Sequence, residues 1–256
     1  MDTGVTVVLA ALDDSPAAQP TLAAAGLLAK VLGAELRAIH VVTGAGRTVA
    51  ALCERRGVEL RQLEGPASEL LVAALSDPEA VALVLGSRGH PAGRRPAGRT
   101  ALEVIQRVEK PVLLVPPEAS AERWERVLVP LDSTAAASRG VDEVVRRLAD
   151  AGLQVLGLHV FDAKTAPRYW DASQHGAQVW STAFLARHLP HLGAQLHLRT
   201  GAAGQEITQF SAEHDVDVVV LGWSRDLTEG RAATVRDVLS RSRVPVLLLP
   251  VASAEG

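Results

Sequence analysis

Residues 100–116, TALEVIQRVEKPVLLVP, recur 134 positions later as TVRDVLSRSRVPVLLLP, with Pro111 falling on Pro245. The opening run VVLAALDDS matches VLVPLDST, placing Asp13 on Asp132 at an offset of 119, and His40 falls on His159 at the same offset. Gly65 then matches Gly201, and Gly86 matches Gly222, at an offset of 136. A period this long exceeds the roughly 20–50 residues of a solenoid repeat. It therefore marks a tandem duplication of one domain. The step from 119 to 136 is a gain of 17 residues in the second copy, which assigns an insertion to about residues 161–180. A chain of 256 residues accommodates two such domains, expected at 1–118 and 124–256, with the charged, proline-bearing segment 117–125 as linker.

Each copy alternates strand and helix patterns. VTVVLAAL (5–12) is a continuous, β-branched apolar run, as in a strand buried on both faces. Asp14-Ser15-Pro16 offers a helix start, and Gly33 a stop. ELRAIHVV and VELRQLE follow as strands, ASELLVAAL as a helix, VALVLG as a strand, LEVIQRVE as a helix and PVLLVP as the last strand. Such alternation predicts an α/β fold with a parallel sheet covered on both faces. With strand order 3-2-1-4-5, the winding reverses between the first and fourth strands, and ligands bind outside the carboxyl ends at such a reversal. The residues leaving those two ends are Asp13-Asp14 and Gly86-Ser87-Arg88-Gly89.

The segment VLGSRGHPAGRRPAGRTAL has the elements of an anion cradle. Gly86, Gly89, Gly93 and Gly98 would permit positive φ and close backbone approach. Arg88, Arg94, Arg95 and Arg99 supply fixed positive charge, and a helix beginning near Gly98–Thr100 would add its free N–H groups. The same composition also describes a solvated basic turn, and spacing alone does not decide between the two. Asp13 could accept hydrogen bonds from a ribose or base, whereas Asp14 is explained as a cap. All eight aromatics lie beyond residue 120, so a base bound in the first half would pack on aliphatic side chains and backbone.

In order along the chain stand an Asp after the first strand, HV ending the second, G-x-x-G ending the fourth, a glycine opening the last helix and PVLLVP closing the domain. In this the chain resembles the universal stress protein family, present twice. The resemblance implies two Rossmann-like, adenine nucleotide alpha hydrolase-like domains, each a five-stranded parallel sheet of order 3-2-1-4-5 flanked by helices. Where the glycine loop is intact it implies ATP, with Mg2+, in the crevice. Asp13 would then meet the ribose or adenine and Val41 would lie against adenine. Gly86, Ser87, Arg88, Gly89, Gly98, Arg99 and Thr100 would wrap the phosphates.

Both copies depart from the family's G-x-x-G, nine residues, G-[ST]. In the first, eight residues separate Gly89 from Gly98, and Arg99 stands in place of Ser or Thr, with Thr100 one position late. In the second, Arg225 replaces the second glycine, Ala232-Ala233 replace G-[ST], and Asp226 and Glu229 add negative charge. The second site therefore reads as degenerate.

A net charge of −3 gives no electrostatic case for nucleic acid, and apolar runs of four to eight residues are too short to span a bilayer. With no basic leader and a single cysteine, Cys53, a cytoplasmic protein without a disulfide framework is expected. His188 and His191 flank a helix-breaking proline and read as surface residues. His40 and His159 read as buried and structural, and Tyr169, Trp170 and Trp180 as core packing, a lid or a partner surface. The uncharged fifth strands would form exposed edges, a hazard that their mutual pairing removes. The expected pseudo-dimer inside one chain follows, and it leaves homodimerisation open. The leading expectation is a non-catalytic or weakly hydrolytic, nucleotide-responsive stress module. Its rivals are a ligand-free scaffold and a PP-loop enzyme that uses ATP, the latter opposed by ALDDSP where a glycine-serine loop belongs.

Overall fold

The structure, a computed structural model, describes residues 5–42, 47–87, 96–120, 123–132, 135–162, 174–188, 195–227 and 232–251. The first half contains β1 (Val7–Leu12), α1 (Ala18–Leu32), β2 (Glu35–Val41), α2 (Arg47–Arg56), β3 (Glu59–Leu63), α3 (Ala67–Leu75), β4 (Ala80–Gly86), α4 (Arg99–Arg107) and β5 (Val112–Val115). The second repeats the series as β6 (Arg126–Pro130), α5 (Ala135–Asp150), β7 (Gln154–Phe161), α6 (Gln174–His188), β8 (Gln195–Thr200), α7 (Ala203–Glu213), β9 (Val218–Trp223), α8 (Ala233–Arg241) and β10 (Val246–Pro250).

All ten strands form one sheet of order β3-β2-β1-β4-β5-β10-β9-β6-β7-β8. Each half is therefore a parallel 3-2-1-4-5 sheet. The two fifth strands meet antiparallel, Leu113 opposite Leu247, so the apolar PVLLVP edge is paired within the chain. What remains at the outer edges is β3 and β8, both far more polar than the pair at the centre. Side chains of successive strand residues alternate between faces. One core packs α1, α2, α5 and α6 against the sheet through Leu28, Leu52, Val145 and Phe184. The other packs α3, α4, α7 and α8 through Leu75, Ile105, Phe210 and Val238.

The duplication is visible in single residues. Gly33 and Gly152, at equivalent places, both end a helix with positive φ, 65° and 89°. Gly65 and Gly201, in the turns that lead from β3 into α3 and from β8 into α7, also share positive φ, 136° and 149°. His40 and His159 each place Nδ1 against the main-chain oxygen one strand away, Leu12 at 2.9 Å and Leu131 at 2.7 Å. Both are buried, as a structural role requires.

One helix was not anticipated, and two local expectations are corrected. Helix α2 carries little apolar character, yet Val49, Leu52 and Cys53, spaced i, i+3, i+4, bury one stripe against the sheet. Helix α1 starts at Ala18 rather than at Asp14-Ser15-Pro16. The Asp13 carboxylate accepts the N–H and hydroxyl of Ser15, whose own Oγ accepts the Ala17 N–H. His188 is buried rather than exposed, its ring 4.3 Å from that of Phe184. Trp180 joins the same group, 4.7 Å from Phe184 and 5.2 Å from Phe161, so it packs in the core. Tyr169, Trp170 and His191 lie outside the described residues.

Candidate functional site

At the carboxyl ends of β1, β2 and β4, where the strand order reverses, the first half opens a cavity of about 390 Å3. Small-molecule sites occupy roughly 300–1,000 Å3. Six of the residues singled out in the sequence line it: Asp13, Val41, Gly86, Gly98, Arg99 and Thr100. They come from four places in the chain, brought together by the parallel pairing of β1 with β2 and β4. Ile39, Leu71 and Leu85 give the cavity apolar walls. Among the described residues no aromatic side chain contributes, so a flat ligand would lie on aliphatic groups.

Ser87 stands behind the wall rather than in it. It is buried, its N–H bonds the Val115 carbonyl at 2.8 Å, and its carbonyl accepts the Gly98 N–H at 2.7 Å. The first bond ties the start of the glycine segment to β5, and the second clamps that start to the segment's end. Arg88 and Gly89 lie outside the described residues. The expectation of positive φ at Gly98 is corrected: it sits extended at φ −60°, ψ 154°, as the residue before α4. Gly86 ends β4 and is likewise not among the positive-φ glycines.

Helix α4 points its first turn at the cavity, and no side chain among the described residues caps it. The N–H groups of a first turn have no intrahelical partner and carry the positive end of the helix dipole. Arg99 is exposed and reaches Glu103 one turn on, at 3.7 Å, so part of its charge is directed along the helix. Among the described residues Asp13 is the one acidic residue lining the cavity, and one of its oxygens already serves Ser15.

The second half uses the same places differently. Trp223 occupies the position of Ser87, buried, with its indole N–H bonded to the Ile105 carbonyl of α4 at 3.2 Å. Arg225, at the second glycine position, has φ 64° and pairs with Glu109, just past α4, at 2.8 Å. Both contacts cross between the halves. Asp132 lies near enough to His188 to favour its charged form, although burial and Arg187 push that histidine's pKa down.

A family model described as the universal stress protein family matches residues 50–116 and 123–250. The chain belongs to the universal stress protein family. The match to the first half begins beyond Asp13, so the place of β1 and β2 in that half rests on the fold. Among solved structures, a universal stress protein from Archaeoglobus fulgidus DSM 4304 is 17% identical, with TM-score 0.67, covering 95% of this chain and 98% of that one. A putative universal stress protein from Pseudomonas aeruginosa UCBPP-PA14 is 14% identical, also at TM-score 0.67, covering 97% and 94%. A functionally unknown protein from Pseudomonas aeruginosa PAO1 gives 14%, 0.67, 97% and 93%. Each covers both halves, so the tandem arrangement has full-length counterparts. Comparison with curated protein sequences gave no significant match. Among the described residues, no helix is long and apolar enough to cross a membrane.

Proposed function

We propose that this universal stress protein is a nucleotide-responsive module that binds an adenine nucleotide, ATP with Mg2+, in the first-half crevice. The observation that carries the reading is the convergence of Asp13, Val41, Gly86, Gly98, Arg99 and Thr100 on one cavity at the uncapped start of α4. The nucleotide has the complementary layout. Its phosphates would meet the free N–H groups of the first turn and the Arg99 guanidinium. The ribose hydroxyls would donate to the uncommitted oxygen of Asp13. Adenine would lie between Val41 and Ile39. Among the described residues no group of three or more His, Cys, Asp or Glu could hold a metal by itself. Mg2+ would therefore enter on the phosphates, as it does in sites that supply only one or two carboxylates.

A crevice with one carboxylate, itself hydrogen-bonded, offers little to activate water, which fits signalling by occupancy rather than turnover. The role of the second half, on this reading, is to brace the first: its loop positions carry Trp223 and Arg225, which hold the far end of α4. We place this module in the cytoplasm. The test is mass spectrometry of nucleotide released from the purified protein, followed by calorimetry with ATP on Thr100→Glu. A glutamate in a first turn favours the helix and so preserves the fold, while it repels phosphate. Affinity is expected to fall at least tenfold with the melting temperature unchanged or raised. Unaltered affinity would remove the phosphates from α4.

A further inference from the structure

A second cavity of about 370 Å3 lies in the first half, beneath α3 and toward the amino-terminal ends of the strands. It is on the same sheet face as the crevice, with Ile39 as a shared wall. The duplication supplies an internal control for it. β3 pairs with β2 so that Arg61 faces Ile39, and β8 pairs with β7 so that His197 faces Leu158, the equivalent residue. Helices α3 and α7 both begin two residues after the matching glycines, Gly65 and Gly201. Ala74 therefore corresponds to Phe210, Arg61 to His197 and Pro78 to His214.

In the second half these three positions carry a stack of rings. Phe210 is 1% exposed, its ring 3.9 Å from that of His214 and 4.8 Å from that of His197. In the first half the same three positions carry no aromatic ring, and Ala74 and Arg61 line open space. The space is thus shaped for a ring that the chain itself provides only in the other copy.

The cavity is lined by three carboxylates, Glu59, Asp77 and Glu79, and two guanidiniums, Arg37 and Arg61, so the kind of ring turns on which cation is left to meet it. Arg37 is committed to Glu35, Glu59 and Glu79, at 3.1, 3.7 and 3.5 Å. Lys110 donates to the main-chain oxygens of Asp77 and Ala80. Arg61, exposed on β3, makes no ion pair among the described residues. We propose that this cavity binds a small aromatic carboxylate, its ring over Ala74 and its carboxylate on the Arg61 guanidinium. A guanidinium matches a carboxylate in a two-bond fork.

The test uses 2-naphthoate as probe and 2-naphthalenemethanol as its uncharged analogue, both followed by saturation-transfer NMR and titration. A ligand of this size is expected to bind with Kd on the order of 1 mM or tighter. Ala74→Phe builds in the ring that Phe210 supplies, and should abolish naphthoate binding while raising the melting temperature. Arg61→Gln, on an exposed strand position, should weaken naphthoate at least fivefold and leave the alcohol unchanged. Thr100→Glu, at the nucleotide crevice, should alter neither, which separates this site from that one. Absence of naphthoate binding to the wild type overturns the proposal. So does equal loss of acid and alcohol in Arg61→Gln, whether or not Ala74→Phe folds.

Discussion

Trp223 of β9 donates its indole N–H to the carbonyl of Ile105 in α4, across the seam between the two halves. It does so from the position where the first half has Ser87, whose main chain closes the glycine segment. One place in a duplicated fold thus borders the crevice in one copy and the seam in the other. Because α4 begins at the crevice and ends under Trp223, the second half supports the element that shapes the first half's cavity.

Trp223→Phe keeps most of the ring and removes the hydrogen bond. A loss of about 1 kcal/mol is expected from the unpaired carbonyl. Trp223→Ala adds a core cavity and should cost about 3–5 kcal/mol. Chemical denaturation of the two variants checks the ratio. Equal, small losses would mean that the indole does not bear on the seam.

Arg225 holds φ 64° with a Cβ, where its counterpart is glycine. Left-handed backbone costs roughly 1–2 kcal/mol for an ordinary residue. Its ion pair with Glu109 is largely exposed and is worth at most about 1 kcal/mol. Arg225→Gly should therefore leave stability nearly unchanged, whereas Arg225→Val, β-branched, should destabilise by at least about 1 kcal/mol more than Gly. Identical melting curves for the two variants would contradict the backbone assignment.

Gly204, in the first turn of α7, lies so close to α8 that an added Cβ would sit 2.6 Å from the Cβ of Asp237. The obstacle is the root of a side chain, not its flexible end. Gly204→Ala should force α7 and α8 apart and cost about 1–3 kcal/mol, despite alanine's better helix propensity. A stabilised variant would show that the helices can separate freely.

Burial, then the charges of His214 and Arg199, lower the pKa of His197. Above its unfolded value of about 6.5 the residue is neutral in both states. As pH falls below that, the unfolded chain takes a proton the folded one resists, so stability falls. Glu213, held low first by its hydrogen bond from Arg199, works in the same direction only below the ordinary carboxylate range. Urea unfolding between pH 7.5 and 5 should thus show falling stability, and His197→Phe should flatten the slope. An unchanged slope would assign the effect elsewhere, His188 being the next candidate because burial lowers it too.

Much of this was legible in the residues. Two offsets, 119 and 136, paired His40 with His159 and Gly65 with Gly201, and the structure gives the histidines equivalent main-chain partners and the glycines the same positive φ. Strand–helix alternation predicted a parallel sheet, the order 3-2-1-4-5 was implied by the family resemblance, and the pairing of the fifth strands followed from their uncharged edges. The crevice followed from where the winding reverses. What escaped was long-range. Nothing local to Trp223 shows that its partner is Ile105, and nothing near His188 shows that Phe184 will cover it. Helix α2 escaped because its stripe is only Val49, Leu52 and Cys53 in an otherwise polar segment. Gly98 was misjudged for another reason: a glycine before a helix can be extended, and its sequence does not say which region it uses.

The most direct measurement is calorimetry of ATP with Mg2+ on the wild type, Asp13→Ala and Asp132→Ala. One nucleotide per chain is expected, weakened at least tenfold by Asp13→Ala and untouched by Asp132→Ala. No binding to the wild type, or a loss in Asp132→Ala matching that in Asp13→Ala, would contradict a nucleotide site confined to the first half.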